Sequence, residues 1–292
     1  MKKITCLIVL LSFCLLDDKK KKNIEDFNPL EDGIHLNFNM KSSLIPKDPN
    51  IVIIQEQIDK IKENAKNFIV TPATKNDIVI MNTSHGTLQL MLYPDKAPNH
   101  CNNFKKLANS GFYDKTIFHR VIPGFMIQGG DILSRDDNPD NDGTGNPGWI
   151  IDQEFNDVTH TRGILSMARG PDVNSAGSQF FICVADAKHL DNKYTAFGEV
   201  IDNKNILDII TSIPSEAKQI LKSSKQEIPE NELVDDWLEY IYGGKKFFIR
   251  VPKVISKNQF EIDVKGKLKN KHRPHIPIII HKVRVVDSKT DN

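Results

Sequence analysis

Residues 118–131 read Phe-His-Arg-Val-Ile-Pro-Gly-Phe-Met-Ile-Gln-Gly-Gly-Asp. Two short apolar runs, Val121-Ile122 and Phe125-Met126-Ile127, are parted by Pro123-Gly124 and stopped by Gly129-Gly130. Proline and glycine at that spacing break helices and permit tight turns, so the stretch predicts short strands. From 117 to 200 the chain continues as short apolar runs split by Gly, Pro, Asn and Asp, which predicts a mainly-β barrel or sandwich. Upstream, Ile78–Thr83 and Thr87–Leu92 flank Ser84-His85-Gly86 and predict a hairpin. Pro98 opens a helical pattern with Cys101, Phe104, Leu107 and Ala108 on one face, and Gly111 ends it. Downstream, Ile206–Ile213 predicts a second short helix, and Ile276–Val286 a final strand.

The composition sets limits on this reading. A chain of 292 residues, 39% apolar and 26% charged, can bury a real core. Its net charge of +1 gives no support for a nucleic-acid binder driven by bulk charge. No run approaches the roughly 20 apolar residues of a spanning helix. Four cysteines are too few for a disulfide scaffold; Cys101 and Cys183 fall in apolar patterns and are expected as buried free thiols.

The first 18 residues predict an export signal. Met-Lys-Lys precedes an apolar run from Ile4 to Leu16, too short to span a bilayer comfortably. Leu11-Ser12-Phe13-Cys14 resembles a bacterial lipoprotein processing box with Cys14 as the lipidated residue, although Phe13 stands where a small residue is usual. The readings kept open are a processed lipoprotein, an uncleaved anchor or ordinary secretion, and a cytosolic chain with an unusual start. Residues 19–75 are expected as a tether and an amphipathic helix, the latter carried by Ile51, Ile54, Ile58, Ile61, Ala65 and Phe68. Lys19–Lys22 are expected as solvated charges. Residues 76–292 form the main domain in this reading, with an insertion at about 214–272. In that insertion Leu233, Trp237, Leu238 and Ile241 predict a helix ended by Gly243-Gly244, while Phe247–Val251 and Phe260–Val264 predict strands.

Three stretches taken in order carry a resemblance: 118–131 as quoted, then Gly-Ile-Leu-Ser-Met-Ala-Arg-Gly-Pro-Asp-Val-Asn-Ser-Ala-Gly-Ser-Gln-Phe-Phe-Ile at 163–182, then Leu-Asp-Asn-Lys-Tyr-Thr-Ala-Phe-Gly-Glu-Val at 190–200. Together they resemble a cyclophilin-type peptidyl-prolyl cis-trans isomerase, in a bacterial secreted or lipoprotein form. The resemblance covers roughly Ile78 to Ile213 and resumes at Ile276–Val286. It implies a closed eight-stranded antiparallel barrel capped by two helices, here with an N-terminal helix and an α+β insertion before the last strand. It further implies Arg120 as the catalytic donor, Gln128 as its orienting partner, and Phe125, Met126, Phe181 and Leu190 as walls of a proline pocket. Ala168, Arg169 and Gln179 match substrate contacts. His189 stands where many members have tryptophan, Tyr194 where many have histidine, and Arg169 where many have asparagine. With the indole gone at 189, weaker inhibition by cyclosporin-type cyclic peptides is expected, and a titration would read it.

The chemistry such residues can do is specific. An X–Pro bond rotates slowly because its C–N bond has partial double character, with a barrier of about 18–20 kcal/mol. A catalyst must bind the twisted amide better than either planar form. That requires an apolar grip on the ring and a fixed donor, not a nucleophile, base, metal or cofactor. A guanidinium suits the donor role because it stays charged and presents a rigid fan of N–H groups. The partners expected are proline-containing polypeptides, met by an exported monomer, periplasmic or held at a membrane. A non-catalytic proline-segment chaperone or scaffold is the second reading.

Several other motifs are weaker. His119 is expected as a structural histidine. Ser178 lacks a nucleophile elbow. Gly143-Thr-Gly-Asn-Pro-Gly148 matches a dinucleotide fingerprint by letter but lacks the strand and helix around it. Asn138–Gly143 lacks the ligands of a calcium loop, and no His/Cys cluster has zinc spacing.

Overall fold

A computed structural model describes residues 52–289 of the protein. The export signal, Cys14 and the polar stretch 19–50 lie outside the described residues.

The first element, α1 (Gln55–Asn67), is the expected amphipathic helix. Gln57 reaches back to accept from the Ile54 N–H at 3.0 Å, satisfying one donor of the helix start. Ile58 and Ala65 are buried in the main core, and Asn64 Nδ2 donates to the Ser110 carbonyl at 3.1 Å, so the helix is tied to the main domain.

The hairpin follows as β1 (Asp77–Thr83) and β2 (Gly86–Leu92), with buried and half-buried residues alternating along β1. Gly86 has φ of 124°, and a side chain there would strike Ile206. The next helix, α2 (Pro98–Asn109), takes its start from the proline and from Glu154, whose carboxylate accepts from the N–H groups of Asn99 (3.0 Å) and His100 (2.9 Å). Its end is a Schellman turn: Phe112 N–H donates to Leu107 and Gly111 N–H to Ala108, with Gly111 at φ 82°.

The remaining elements are β3 (Thr116–Ile117), β4 (Arg120–Ile122), β5 (Met126–Gly129), β6 (Ile164–Met167), β7 (Phe180–Cys183), β8 (Ala196–Asp202), α3 (Asn205–Ser212), α4 (Glu216–Ser223), β9 (Trp237–Tyr242), β10 (Lys245–Arg250), α5 (Lys257–Lys269) and β11 (Ile279–Asp287). Nine strands make one curled antiparallel sheet in the order β3-β11-β1-β2-β8-β6-β7-β5-β4. The mainly-β reading therefore stands, but the expected closed eight-stranded barrel is an open nine-stranded ladder. Its two end strands, β3 and β4, are consecutive in the chain and joined by Phe118-His119 alone. The strand breaks there because its backbone changes partners: Phe118 N–H donates to Ile278 and Val121 N–H to His272, both at 2.9 Å.

The insertion is an excursion closed at its neck, where Glu216 N–H donates to Arg273 (2.9 Å) and His275 N–H to Pro214 (3.1 Å). It has a small core of its own, built from Ala217, Leu238, Ile249, Val264 and Leu268. Two expectations fail inside it. The expected helix around 233–241 is a strand, because Gly243 and Gly244 take φ of 58° and 76° and turn β9 into β10 as a hairpin. The expected strand 260–264 belongs to α5, whose Ser256 cap accepts from Gln259 N–H and whose Val264 and Leu268 are buried one helical turn apart.

Candidate active site

Strand pleating sets out the site. On β5, Ile127 points into the main core while Met126 and Gln128 point outward. Arg120 on β4 pairs in register with Gln128, and Gln128 with Phe181 on β7. Residues opposite one another in antiparallel strands share a face, so Arg120, Gln128 and Phe181 form one row across three strands.

That row joins a polar chain to an apolar patch. Arg120 Nη1 donates to Gln128 Oε1 at 3.1 Å, and Gln128 Nε2 donates to Gln179 Oε1 at 3.0 Å. Gln179 Nε2 in turn donates to the carbonyls of Gly143 (2.9 Å) and Gly145 (2.8 Å). The loop is anchored from below by Asp131, whose carboxylate accepts from Leu133 and Gly143 N–H groups. A side chain at Gly145 would run into that carboxylate, so these glycines serve a close backbone approach. Beside the polar chain lies an apolar cluster separate from the main core: Met126, Phe181, Cys183, Ala187 and Leu190, with Ile122, Phe125, Ala168 and Tyr194 packed against it. The Phe181 and Tyr194 rings meet edge to face at 5.8 Å.

All eleven residues singled out for substrate or catalysis gather on this face. His189 is exposed at the rim, its ring 5.4 Å from that of Phe125. Arg169 lies over the Tyr194 ring at 4.7 Å and donates to the Lys193 carbonyl at 3.0 Å, so the arginine braces the tyrosine. Cys14 lies outside the described residues. Cys101 and Cys183 are free and buried, and burial pushes both thiols up to about 12.

The sequence reading passed over a Ser-His-Asp constellation beneath the pocket. His160 Nδ1 lies 3.0 Å from Asp191 and Nε2 lies 3.0 Å from Ser166 Oγ. The distances suit a hydrolase triad, but the environment does not. Ser166 is fully buried and its hydroxyl donates to the Thr195 carbonyl, so no substrate reaches it. Burial also lowers the His160 pKa, and its ring stacks on Phe181 at 6.2 Å. The network holds the pocket wall.

A family model described as cyclophilin type peptidyl-prolyl cis-trans isomerase/CLD matches residues 78–229, more than half of the chain. The chain belongs to the cyclophilin-type peptidyl-prolyl cis-trans isomerase family. A peptidyl-prolyl cis-trans isomerase of Synechococcus elongatus is 46% identical over 127 residues, covering 44% of this chain and 82% of the relative. One of Acinetobacter baylyi is 41% identical over 153 residues, covering 51% of this chain and 79% of the relative. A solved cyclophilin type isomerase of Cryptosporidium parvum aligns at 27% identity and a TM-score of 0.49, covering 72% of this chain and 98% of its own. The family match stops at 229, so most of the insertion of this cyclophilin lies beyond it.

Proposed function

We propose that this cyclophilin speeds rotation about X–Pro bonds in polypeptides folding outside the cytoplasm, with Arg120 as the donor to the twisted amide. The observation that carries the reading is the fixed Arg120–Gln128 pair beside the apolar Met126/Phe181/Leu190 cluster. The cluster would grip the proline ring. The guanidinium, positioned beforehand by Gln128, would meet the prolyl nitrogen's lone pair or the adjacent carbonyl as the bond twists. Phe125, Ala168, Arg169, Gln179, His189 and Tyr194 would seat the flanking backbone. No group on this face needs to form a bond to the substrate, and no cofactor enters the scheme.

Exchange spectroscopy on a short Ala-Pro peptide tests this directly. The protein should raise the cis/trans exchange rate, and Arg120→Ala should lower kcat by about 10²–10³, the usual loss for a transition-state donor. Near-background exchange in both proteins would leave a proline-segment binder instead.

The basic start and short apolar run support export, and Cys14 supports a lipid tether for a monomeric enzyme. Cys14→Ala should move the protein from the membrane to the soluble fraction; an unchanged distribution would remove the lipid.

A further inference from the structure

Beside Arg120 the end of the insertion makes a second concavity. A cavity of about 360 Å³ is lined by His119, Arg120 and Gln128 from the sheet, Asp142 and Gly143 from the loop, and residues 269–273 from the insertion. The backbone fixes this wall, since the His272 carbonyl accepts from Val121 N–H at 2.9 Å, one residue beyond Arg120.

The charge in this cavity is unbalanced. Arg273 is spent on Asp142 at 3.4 Å, both largely buried. Lys269 and Lys271 are exposed and have no ion pair among the described residues. With Arg120 they leave three cations around one small space. His119 also faces the cavity, 6% exposed, and neither ring nitrogen has a hydrogen-bond partner of good geometry. Two further acids lie behind this wall: Asp140 approaches Gly266 of α5, and Glu216 interacts with Arg273 and Lys267. A cavity of this size fits one or two side chains and is continuous with the site through Arg120 and Gln128.

We propose that this cavity is a specificity subsite that takes an anionic side chain of the client, flanking the proline, and that Lys269 and Lys271 are its selecting residues. The inference rests on the isomerase reading above. A carboxylate is the ordinary source of such a side chain and a phosphoryl group the other.

The test uses Ala-Pro peptides that differ at one position within two residues of the proline, on either side, carrying Glu, phosphoserine, Ala or Lys. Exchange spectroscopy gives kcat/KM for each with the full protein and with Lys269→Gln/Lys271→Gln. The Glu peptide should exceed the Lys peptide by about three- to tenfold at one or more positions, in line with exposed charge pairs. The double variant should bring that ratio close to one, and so should raised salt with the unaltered protein. A phosphoserine peptide above the Glu peptide would assign phosphoryl clients, and the reverse carboxylate clients. Equal turnover of all four peptides would overturn the subsite and leave the isomerase reading intact. A preference that survives the double variant would overturn the assignment to the lysines. No turnover of any peptide would overturn both readings.

Discussion

The Gln179 side chain shows how far the reach of Arg120 depends on neighbours. Its amide links Gln128 to the Gly143 and Gly145 carbonyls, so the row ends on backbone. Gln179→Ala leaves the Gln128 amide unheld on one side. Losing one such hydrogen bond typically costs about 1 kcal/mol, so kcat should fall several-fold, beyond any rise in KM from the lost substrate contact; an unchanged kcat would show that Gln128 needs no brace. His119 offers a second check. Burial, with help from Arg120 and Arg273, lowers its pKa to about 4 from 6.5, against a weak opposing pull from the Ile117 carbonyl. The folded state disfavours the charged ring. The stability from keeping it neutral is therefore present above pH 6.5 and is lost as pH falls toward 4, roughly 3 kcal/mol in all. Urea unfolding at pH 7 and pH 4.5 should show a smaller loss in His119→Phe than in the unaltered protein, with His100 and His160, also lowered by burial, supplying the remainder. Equal losses would sink the assignment. Arg120, Gln128 and Phe181 were legible because the stretches 118–131 and 163–182 resemble a known family; their row was not, because Gln128 and Phe181 pair across strands far apart in the chain. The Gln179 link to Gly143 was not, because it depends on how a long loop returns over the sheet.

Among the elements, legibility followed the strength of the local code. The α2 helix had a proline start and a glycine stop, and the structure keeps both. The Glu154 cap came from a loop far along the chain and left no local signal. In the insertion the code was ambiguous. Trp237–Tyr242 offers aromatic and β-branched residues at spacings that fit either period, and only the paired positive φ of Gly243-Gly244 decides for a hairpin. Phe260, Ile262 and Val264 alternate like a strand, yet Ser256 caps a helix that runs through them. The α1 helix was legible from its apolar stripe, and its attachment is testable. Ile58 is 1% exposed within the main core, so Ile58→Ala should cost about 2–5 kcal/mol in urea unfolding. A cost below 1 kcal/mol would mean that α1 rests loosely on the main core.

For the chain as a unit, the contrast between the two cores governs how it opens. The main core unites strands β1, β2, β4–β8 and β11 with α1, α2 and α3, and its centre holds a tilted and edge-to-face set of Phe104, Tyr113, Phe118 and Phe180. The insertion core holds five buried apolar residues under a two-stranded sheet. Isolated hairpins are marginal in water, so this sheet depends on α4 and α5 lying against it. Local opening free energies track buried apolar contact. Native-state hydrogen exchange should therefore show amides of β9 and β10 opening a few kcal/mol below those of β1 and β11, with α5 following the hairpin. The neck bonds at Glu216 and His275 and the His272–Val121 bond should hold longer, because they are tied to the main sheet. Equal protection across both cores would mean a single cooperative unit. In the expected case the outer insertion and α5 open while residues 270–273 stay beside Arg120, held by the His272–Val121 bond.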